Sequence, residues 1–231
     1  MTLARSGSPI VGVGIPRLLV VEDHPLFRNA LVGVVGAAFP GAEVFQATSI
    51  EGALDVLAAQ GAVDLVLLDL SMPETTGLLG LFRVRVAAPR SALVVVSAYD
   101  DSRIIGSAAA LGIAGYIPKS TPKTEMARLI RSVLEEGAVC FPKRHQDAAA
   151  AKRARAAAKD LLGPLGRLTS QQLRVLDMIC RGLQNKHIAY ELDISVTTVK
   201  VHVSDVLRKL GVRSRTEAIV RMSALDLLKA K

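Results

Sequence analysis

The chain of 231 residues contains no tryptophan, only two cysteines and only 3% aromatic residues. Half of the residues are nevertheless apolar, so aliphatic side chains can build a sizeable core. Cys140 and Cys180 lie far apart in sequence, which favours two reduced structural thiols over a disulfide or a metal site. The length suits one large domain or two ordinary ones.

Long hydrophobic runs are also missing. No apolar stretch reaches the roughly 20 residues that a membrane-spanning helix needs. The first residues, 1–15, hold several Gly and Ser but no clear apolar segment with a cleavage site. We therefore expect a loose leader rather than a signal peptide, no membrane partner, and a cytoplasmic protein.

Positive charge is scarce in the first part of the chain and concentrated in the second. Residues 1–142 hold 11 Lys and Arg against 13 Asp and Glu, a formal net charge of −2. Residues 143–231 have a formal net charge of +10. This asymmetry predicts two domains with different partners, and the basic one is a candidate for binding nucleic acid.

One stretch, Asp64–Pro73, organises the first half. Four apolar residues run into Asp69, and Pro73 follows, a pattern typical of a buried parallel strand that ends near the carboxylate. Open α/β sheets place their ligands at the carboxyl ends of strands. An isolated Asp69 could equally cap a turn, so the rest of the chain must decide between these interpretations.

Strand and helix patterns alternate through this half. Strands are predicted at 17–21, 44–47, 63–69, 93–97 and 115–117, and helices at 26–35, 50–59, 77–86, 101–111 and 124–135. This alternation predicts an α/β fold with a doubly wound, five-stranded parallel sheet.

Polar side chains stand at the ends of these strands: Glu22 and Asp23, then Asp69, Ser97 and Lys119. Because parallel strands end at one edge, we expect these side chains to converge. Three crowded carboxylates raise each other's pKa values, and Mg²⁺ prefers such oxygen ligands. The combination of these acids with a metal ion, a lysine and a hydroxyl predicts a phosphoryl-transfer site. An aspartate would accept the phosphoryl group there.

This ordered set resembles the receiver domain of two-component response regulators over residues 16–137. The residues that carry the resemblance are Glu22, Asp23, Asp69, Met72, Pro73, Gly77, Ser97, Tyr116 and Lys119. The resemblance implies that Asp69 accepts a phosphoryl group from a sensor histidine kinase. It implies that Mg²⁺ is bound by Glu22, Asp23, Asp69 and the main-chain carbonyl of Ser71.

The same resemblance implies that Lys119 contacts the phosphoryl group, while Ser97 and Tyr116 act as switch residues. Taken alone, Ser97 could simply end a strand and Tyr116 could be an aromatic residue at the edge of the core. His24 is expected beside the site rather than on the metal, since Mg²⁺ disfavours imidazole.

Residues 138–166 form a basic, alanine-rich linker between the two halves. Its composition predicts a helix, which the stretch 163–166 (Gly-Pro-Leu-Gly) should break. Its Lys and Arg residues could touch DNA phosphates, although a solvated helix is the simpler interpretation.

Residues 167–231 predict four short helices. Thr169 and Gln172 form a capping-box pattern, and Ser195 begins a helix that Gly211 ends. A short helix, a tight turn and a longer basic helix indicate a helix-turn-helix. No further His or Cys accompanies His187 and His202, which argues against a metal site there.

This half resembles the LuxR/NarL-type DNA-binding domain. The resemblance rests on 183–189, 195–203 and 207–210. It implies that the helix from 196 to 210 enters the major groove of an operator and that a last helix, 214–228, pairs with its twin in a homodimer. Residues implied to face base edges are Lys200, Val201 and Ser204, and those implied to lie nearer phosphates are Lys186, Thr198, His202 and Arg208.

We therefore expect a response regulator of the NarL/FixJ type, in which phosphorylation of Asp69 promotes dimerisation and binding to double-stranded DNA, with RNA polymerase as a candidate partner. One alternative is a phosphorylation-independent regulator whose receiver is a dimerisation or ligand-binding module. The other is an aspartyl-phosphate phosphatase. The complete acidic set argues against the first, and an unexplained basic half argues against the second, so we expect no enzyme.

Overall fold

The computed structural model describes residues 14–72, 78–99, 101–142 and 148–223; the predicted leader lies almost entirely outside them, as do Pro73 and Gly77. Within these ranges the first half alternates strands and helices: β1 (Arg17–Val21), α1 (Pro25–Ala38), β2 (Glu43–Ala47), α2 (Ile50–Gln60), β3 (Leu65–Leu68), α3 (Leu78–Ala87), β4 (Ala92–Ser97), α4 (Ser102–Ala110), β5 (Gly115–Pro118) and α5 (Lys123–Glu136). The second half is helical: α6 (Ala148–Leu165), α7 (Ser170–Cys180), α8 (Asn185–Leu192), α9 (Val196–Leu210) and α10 (Arg215–Ser223). Among the helices in these ranges, none combines the length and the apolar composition that a membrane span requires.

The five strands form one parallel sheet in the order β2-β1-β3-β4-β5. Alternate residues of β1 divide between its faces, with Leu18 and Val20 in one core and Leu19 and Val21 in the other. The predicted doubly wound fold is confirmed. The strand order reverses between β1 and β3, which is where such sheets bind ligands.

The linker helix α6 ends within the stretch 163–166, where the sequence predicts a break. It passes Gly163 and Pro164 and ends at Leu165. Leu161 and Leu165 are buried in the core, and their packing offsets the backbone hydrogen bond that Pro164 cannot donate. The N–H of Gly166 then donates to the carbonyl of Leu162 at the helix end.

The C-terminal helices have the predicted caps. Thr169 and Gln172 form a reciprocal capping box at the start of α7, and the Ser195 hydroxyl accepts the N–H of Thr198 at the start of α9. Gly211 ends α9 with a φ of 68°, a left-handed conformation that glycine adopts without steric cost. The predicted extension of the last helix to Leu228 lies outside the described residues.

The two halves pack against each other through α6 and α7. Helix α6 lies along α4 so closely that a Cβ on Gly106 would overlap the backbone of Ala151. At the other side, Arg83 of α3 donates to both carboxylate oxygens of Glu51 in α2, at 2.7 and 2.9 Å, and lies 4.0 Å from Asp177 of α7. The basic helical half is therefore fixed to the sheet by apolar and ionic contacts.

Candidate acidic site and nucleic-acid interface

The polar residues at the strand ends meet at one edge of the sheet. The N–H of Asp69 donates to the carbonyl of Val21, and the N–H of Lys119 donates to the carbonyl of Ser97. These ladder bonds bring neighbouring strand ends into register. Glu22, Asp69 and Ser97 are almost fully buried there.

Lys119 lies between two of the carboxylates. Its Nζ is 2.9 Å from Asp69 Oδ2 and 2.8 Å from Glu22 Oε2. Burial acts to lower the pKa of Lys119, but hydrogen bonds and attraction to these two carboxylates outweigh it, so the pKa is raised. The ammonium group is thus held in its charged form at the centre of the site.

The surroundings of Glu22 disfavour its ionised form. Burial raises its pKa above the ordinary 4.5, and the nearby charge of Asp69 adds to this, although the hydrogen bond from Lys119 acts in the opposite direction. A second cation near Glu22 would relieve this cost.

Three consecutive residues directly after β1 have side chains that could bind a metal ion. Atoms of Glu22, Asp23 and His24 that could bind a metal all lie within 4.8 Å of one another. The His24 side chain is largely exposed, with its Nδ1 3.7 Å from Asp23 Oδ1. The buried, repelling carboxylates fit a hard cation such as Mg²⁺, and an imidazole is not needed for that fit.

Both oxygens of Asp69 have donors. The N–H of Ser71 donates to Asp69 Oδ1 across 2.9 Å, and Lys119 donates to Oδ2. The hydroxyl oxygens of Ser71 and Ser97 lie 3.3 Å apart. The residue pairs predicted to share a site are therefore brought together here.

Tyr116 is buried inside the protein, with its hydroxyl donating to the main-chain carbonyl of Tyr99 across 2.8 Å. The N–H of Tyr99 in turn lies 3.3 Å from the Ser97 hydroxyl. A continuous set of contacts therefore joins Ser97 to Tyr116 through the loop that precedes α4.

Sequence reasoning missed two side chains next to the acids. The Phe27 ring lies under Lys119, with its centroid 4.6 Å from Nζ, and Arg28 donates to the carbonyl of Glu22 at 3.0 Å. Both stand about one helical turn after Asp23, and that spacing was the available signal. Phe27 adds a cation–π contact to Lys119, and Arg28 fixes the loop that carries the acids.

The predicted DNA-facing residues lie on an open surface. Helix α9 buries Val199, Val206 and Leu210, and its opposite side is exposed. Of the residues implied to contact DNA, Lys186, Thr198, Lys200, Val201, Ser204 and Arg208 are exposed, and His202 is half-buried. Arg208 also pairs with Asp205 at 2.8 Å and lowers its pKa. The described part of the receiver-like half leaves this face uncovered.

A cleft of about 320 Å³ lies between the two halves, next to the acidic site. Residues that line it include Asp23, Ile50, Met72, Arg83, Asp177 and Arg181. Glu51 at its rim also lies 3.3 Å from Arg174 of α7. No local sequence pattern signals this ionic contact, since its members belong to α2, α3 and α7.

Two family models match the chain. Residues 18–131 match the response regulator receiver domain, and residues 167–222 match the luxR family of bacterial regulatory proteins. These ranges coincide with the sheet and with the helices that follow α6.

Curated relatives match nearly the whole chain. The glycerol metabolism activator of Pseudomonas putida is 39% identical over 213 residues, which cover 91% of this chain and 96% of that protein. The nitrate/nitrite response regulator protein NarL of Escherichia coli K12 is 31% identical over 203 residues, which cover 88% of this chain and 93% of that protein. The solved structure of RcsB from Salmonella enterica serovar Typhimurium on a promoter matches with a TM-score of 0.52 over 92% of this chain and all of that one; at 17% identity this is a likeness of fold.

Proposed function

Because the chain belongs to the NarL/FixJ-type response regulators, we propose that this DNA-binding transcriptional regulator is switched by phosphorylation of Asp69. A sensor histidine kinase would supply the phosphoryl group. The observation that carries this proposal is the buried Asp69 held by Lys119 and Ser71 beside Glu22 and Asp23.

In the proposed transfer, a carboxylate oxygen of Asp69 forms a bond to phosphorus while the P–N bond to the kinase histidine breaks. The imidazole leaves with the electron pair of that bond. Lys119 is already charged beside Asp69 and would stabilise negative charge on the phosphoryl oxygens. Mg²⁺, when bound, supplies further positive charge at the same oxygens.

We propose that Glu22, Asp23, Asp69 and the main-chain carbonyl of Ser71 hold this Mg²⁺. Burial and repulsion at Glu22 support the assignment, because a cation there would offset both. Ser97 would then turn its hydroxyl to the phosphoryl group, and Tyr116 would follow through its contact with the Tyr99 loop.

The proposed DNA interface is the exposed face of α9. Lys200, Val201 and Ser204 would contact base edges in the major groove. Phosphates would be contacted by Lys186, Thr198, His202 and Arg208. In the proposed dimer the last helix pairs with its copy on a two-fold operator, and RNA polymerase is a proposed further partner.

We propose a receiver at 16–137, a linker at 138–166 and a DNA-binding domain at 167–231, with a cytoplasmic location. The relative in Pseudomonas putida is named an activator of glycerol metabolism, which supports activation of transcription as the first direction to test.

The test compares Asp69→Asn with the exposed control Asp55→Asn. Wild type and the control, given acetyl phosphate and Mg²⁺, should gain one phosphoryl group by intact mass spectrometry and bind a selected operator more tightly. Asp69→Asn should do neither. Phosphorylation of Asp69→Asn to the wild-type extent would overturn the assignment.

The exposed face of α9 favours one alternative, a regulator that binds DNA without phosphorylation. In that case wild type and Asp69→Asn would bind the operator equally, with or without the phosphodonor. The same comparison therefore separates the two functions.

A further inference from the structure

The aromatic ring of Phe27 faces the ammonium group of Lys119. The ring centroid lies 4.6 Å from Nζ, closer than the 5.2 Å between the Arg17 guanidinium and the ring of Phe45. The face of an aromatic ring attracts a cation, and this attraction is stronger where water is excluded. The Lys119 side chain is only 18% exposed, so much of this contact is shielded from water.

Two contacts fix the ring relative to the acidic site. Phe27 is the third residue of α1, and its half-buried side chain packs against the core on that face of the sheet. The next residue, Arg28, donates to the main-chain carbonyl of Glu22 across 3.0 Å. The start of α1 is therefore tied to the loop that carries the acids, and the ring is held beside Lys119.

The two carboxylate partners of Lys119 have other roles in the proposed phosphoryl transfer. Nζ lies 2.8 Å from Glu22 Oε2 and 2.9 Å from Asp69 Oδ2. Both carboxylates are proposed ligands of Mg²⁺, and Asp69 is also the proposed phosphoryl acceptor. An aromatic ring takes neither role, because Mg²⁺ prefers oxygen ligands and the negative face of the ring repels an anionic phosphoryl group. Phe27 is thus the partner that Lys119 can keep while the carboxylates change theirs.

From these contacts we propose that Phe27 is a positioning residue for phosphoryl transfer. Its ring holds the Lys119 ammonium group within reach of the phosphoryl oxygens while Glu22 and Asp69 bind the metal ion. The ring contacts no reacting atom and acts through Lys119, whose charge stabilises the transferred group. This inference rests on the proposed phosphorylation of Asp69 and adds a residue that sets its rate.

The test uses full-length chains in which Phe27 is replaced by phenylalanine analogues with one, two or three ring fluorines. Each fluorine withdraws electrons from the ring face and weakens its attraction for a cation, while the ring keeps nearly the same shape and apolar character. The matched control is the same series at Phe45, whose cation partner Arg17 stands at the beginning of β1, opposite its acidic end. Phe27→Leu is a further variant that removes the ring and keeps an apolar side chain.

The first readout is the rate of phosphorylation by acetyl phosphate at saturating Mg²⁺, followed by intact mass spectrometry. The logarithm of the rate constant should fall steadily with the number of fluorines at Phe27, to a total loss of about 2- to 10-fold, and Phe27→Leu should lose about as much. The Mg²⁺ concentration that gives half the maximal rate should not change, because the ring binds no metal. The Phe45 series should keep the wild-type rate.

The second readout needs no phosphodonor. In chains labelled with ¹³C-lysine, the methylene protons next to Lys119 Nζ should give an NMR signal shifted upfield by the ring current of Phe27. Lys119→Arg assigns this signal, and Phe27→Leu should abolish the shift. In wild type the shift should be present in EDTA and should persist when Mg²⁺ and beryllofluoride are added. Its loss on that addition would show that the ring does not stay with the ammonium group.

The outcomes separate this role from the phosphorylation on which it depends. If wild type is phosphorylated and the fluorinated Phe27 chains react at the same rate, the positioning role is refuted and the proposed function stands. The same holds if Phe27→Leu is slow but the fluorinated chains are not, since the ring then acts by packing alone. If wild type gains no phosphoryl group, the proposed function is refuted, and the role of Phe27 with it.

Discussion

Lys119 donates a hydrogen bond to Asp69 across 2.9 Å, although the two residues are 50 positions apart in the chain. They meet because β3 and β5 flank β4 in a parallel sheet, so both strands end at the same edge. The same ammonium group lies 2.8 Å from Glu22. Lys119 thus provides positive charge to two buried carboxylates.

Replacing Lys119 by Met should therefore destabilise the metal-free protein by about 1–3 kcal/mol, because two buried carboxylates lose their partner. Mg²⁺ should raise the thermal midpoint of this variant more than that of wild type, since the ion no longer shares the carboxylates with an ammonium group. Differential scanning calorimetry with EDTA and with Mg²⁺ measures both effects. Lys123→Met, at an exposed position, is the control, and an equal Mg²⁺ shift in all three proteins would contradict the argument.

The contact between Glu51 and Arg83 predicts how the stability of the protein depends on pH. Burial acts to raise the pKa of Glu51, but hydrogen bonding and attraction to Arg83 lower it below 4.5 overall. A lowered folded-state pKa contributes stability above the unfolded pKa, and this contribution disappears as the pH falls through the folded value. Glu51→Gln should thus cost about 1 kcal/mol at pH 7 and almost nothing well below pH 4.

Urea unfolding of wild type and Glu51→Gln at a series of pH values measures this difference. The control is Glu125→Gln, which removes an exposed pair with Arg128 and should cost only a few tenths of a kcal/mol. A cost for Glu51→Gln that grows as the pH falls would have the wrong sign for the pKa shift.

The Tyr116 hydroxyl donates a part-buried hydrogen bond to the carbonyl of Tyr99. Tyr116→Phe keeps the ring and removes this bond, so unfolding free energy should fall by about 1 kcal/mol. The matched control is Tyr190→Phe, because the Tyr190 side chain is 86% exposed and should not change stability. Equal effects of the two substitutions in chemical denaturation would show that the Tyr116 hydroxyl does not stabilise the fold.

Sequence patterns predicted the sheet and the convergence at its edge because both follow from short-range rules. Apolar runs identified β1, β3 and β4, and the shared direction of parallel strands placed Asp69 beside Lys119. The helix caps at Thr169 and Ser195 could be predicted for the same reason, because their hydrogen-bond partners lie only three residues away.

Features that depend on packing between distant elements could not be predicted in this way. The stretch 163–166 predicted the end of α6, but the passage of the helix through Pro164 to Leu165 depends on the burial of Leu161 and Leu165. Arg83 belongs to a helix without a clear apolar face, and its partners lie on two other helices. Each outcome depends on which helix packs against which, and no local pattern carries that information.

The close packing of α6 on α4 gives the sharpest prediction about the linker. Gly→Ala inside an exposed helix normally stabilises by about 0.5–1 kcal/mol, because glycine has more conformational freedom to lose. Gly36→Ala in α1 should show this gain, since a Cβ there meets nothing within 4 Å. Gly106→Ala should have the opposite sign, because its Cβ would overlap the backbone of Ala151 and force the two helices apart.

We expect Gly106→Ala to be destabilised by about 1–3 kcal/mol in urea unfolding. Trypsin should also cut it faster after the exposed Lys152 and Arg155, because α6 unwinds more readily once it no longer packs on α4. Gly36→Ala should be cut no faster than wild type. The opposite signs make the comparison decisive, since a general effect of alanine on helices would stabilise both variants. Stabilisation of Gly106→Ala together with slower cleavage would mean that α6 does not pack along α4 in solution.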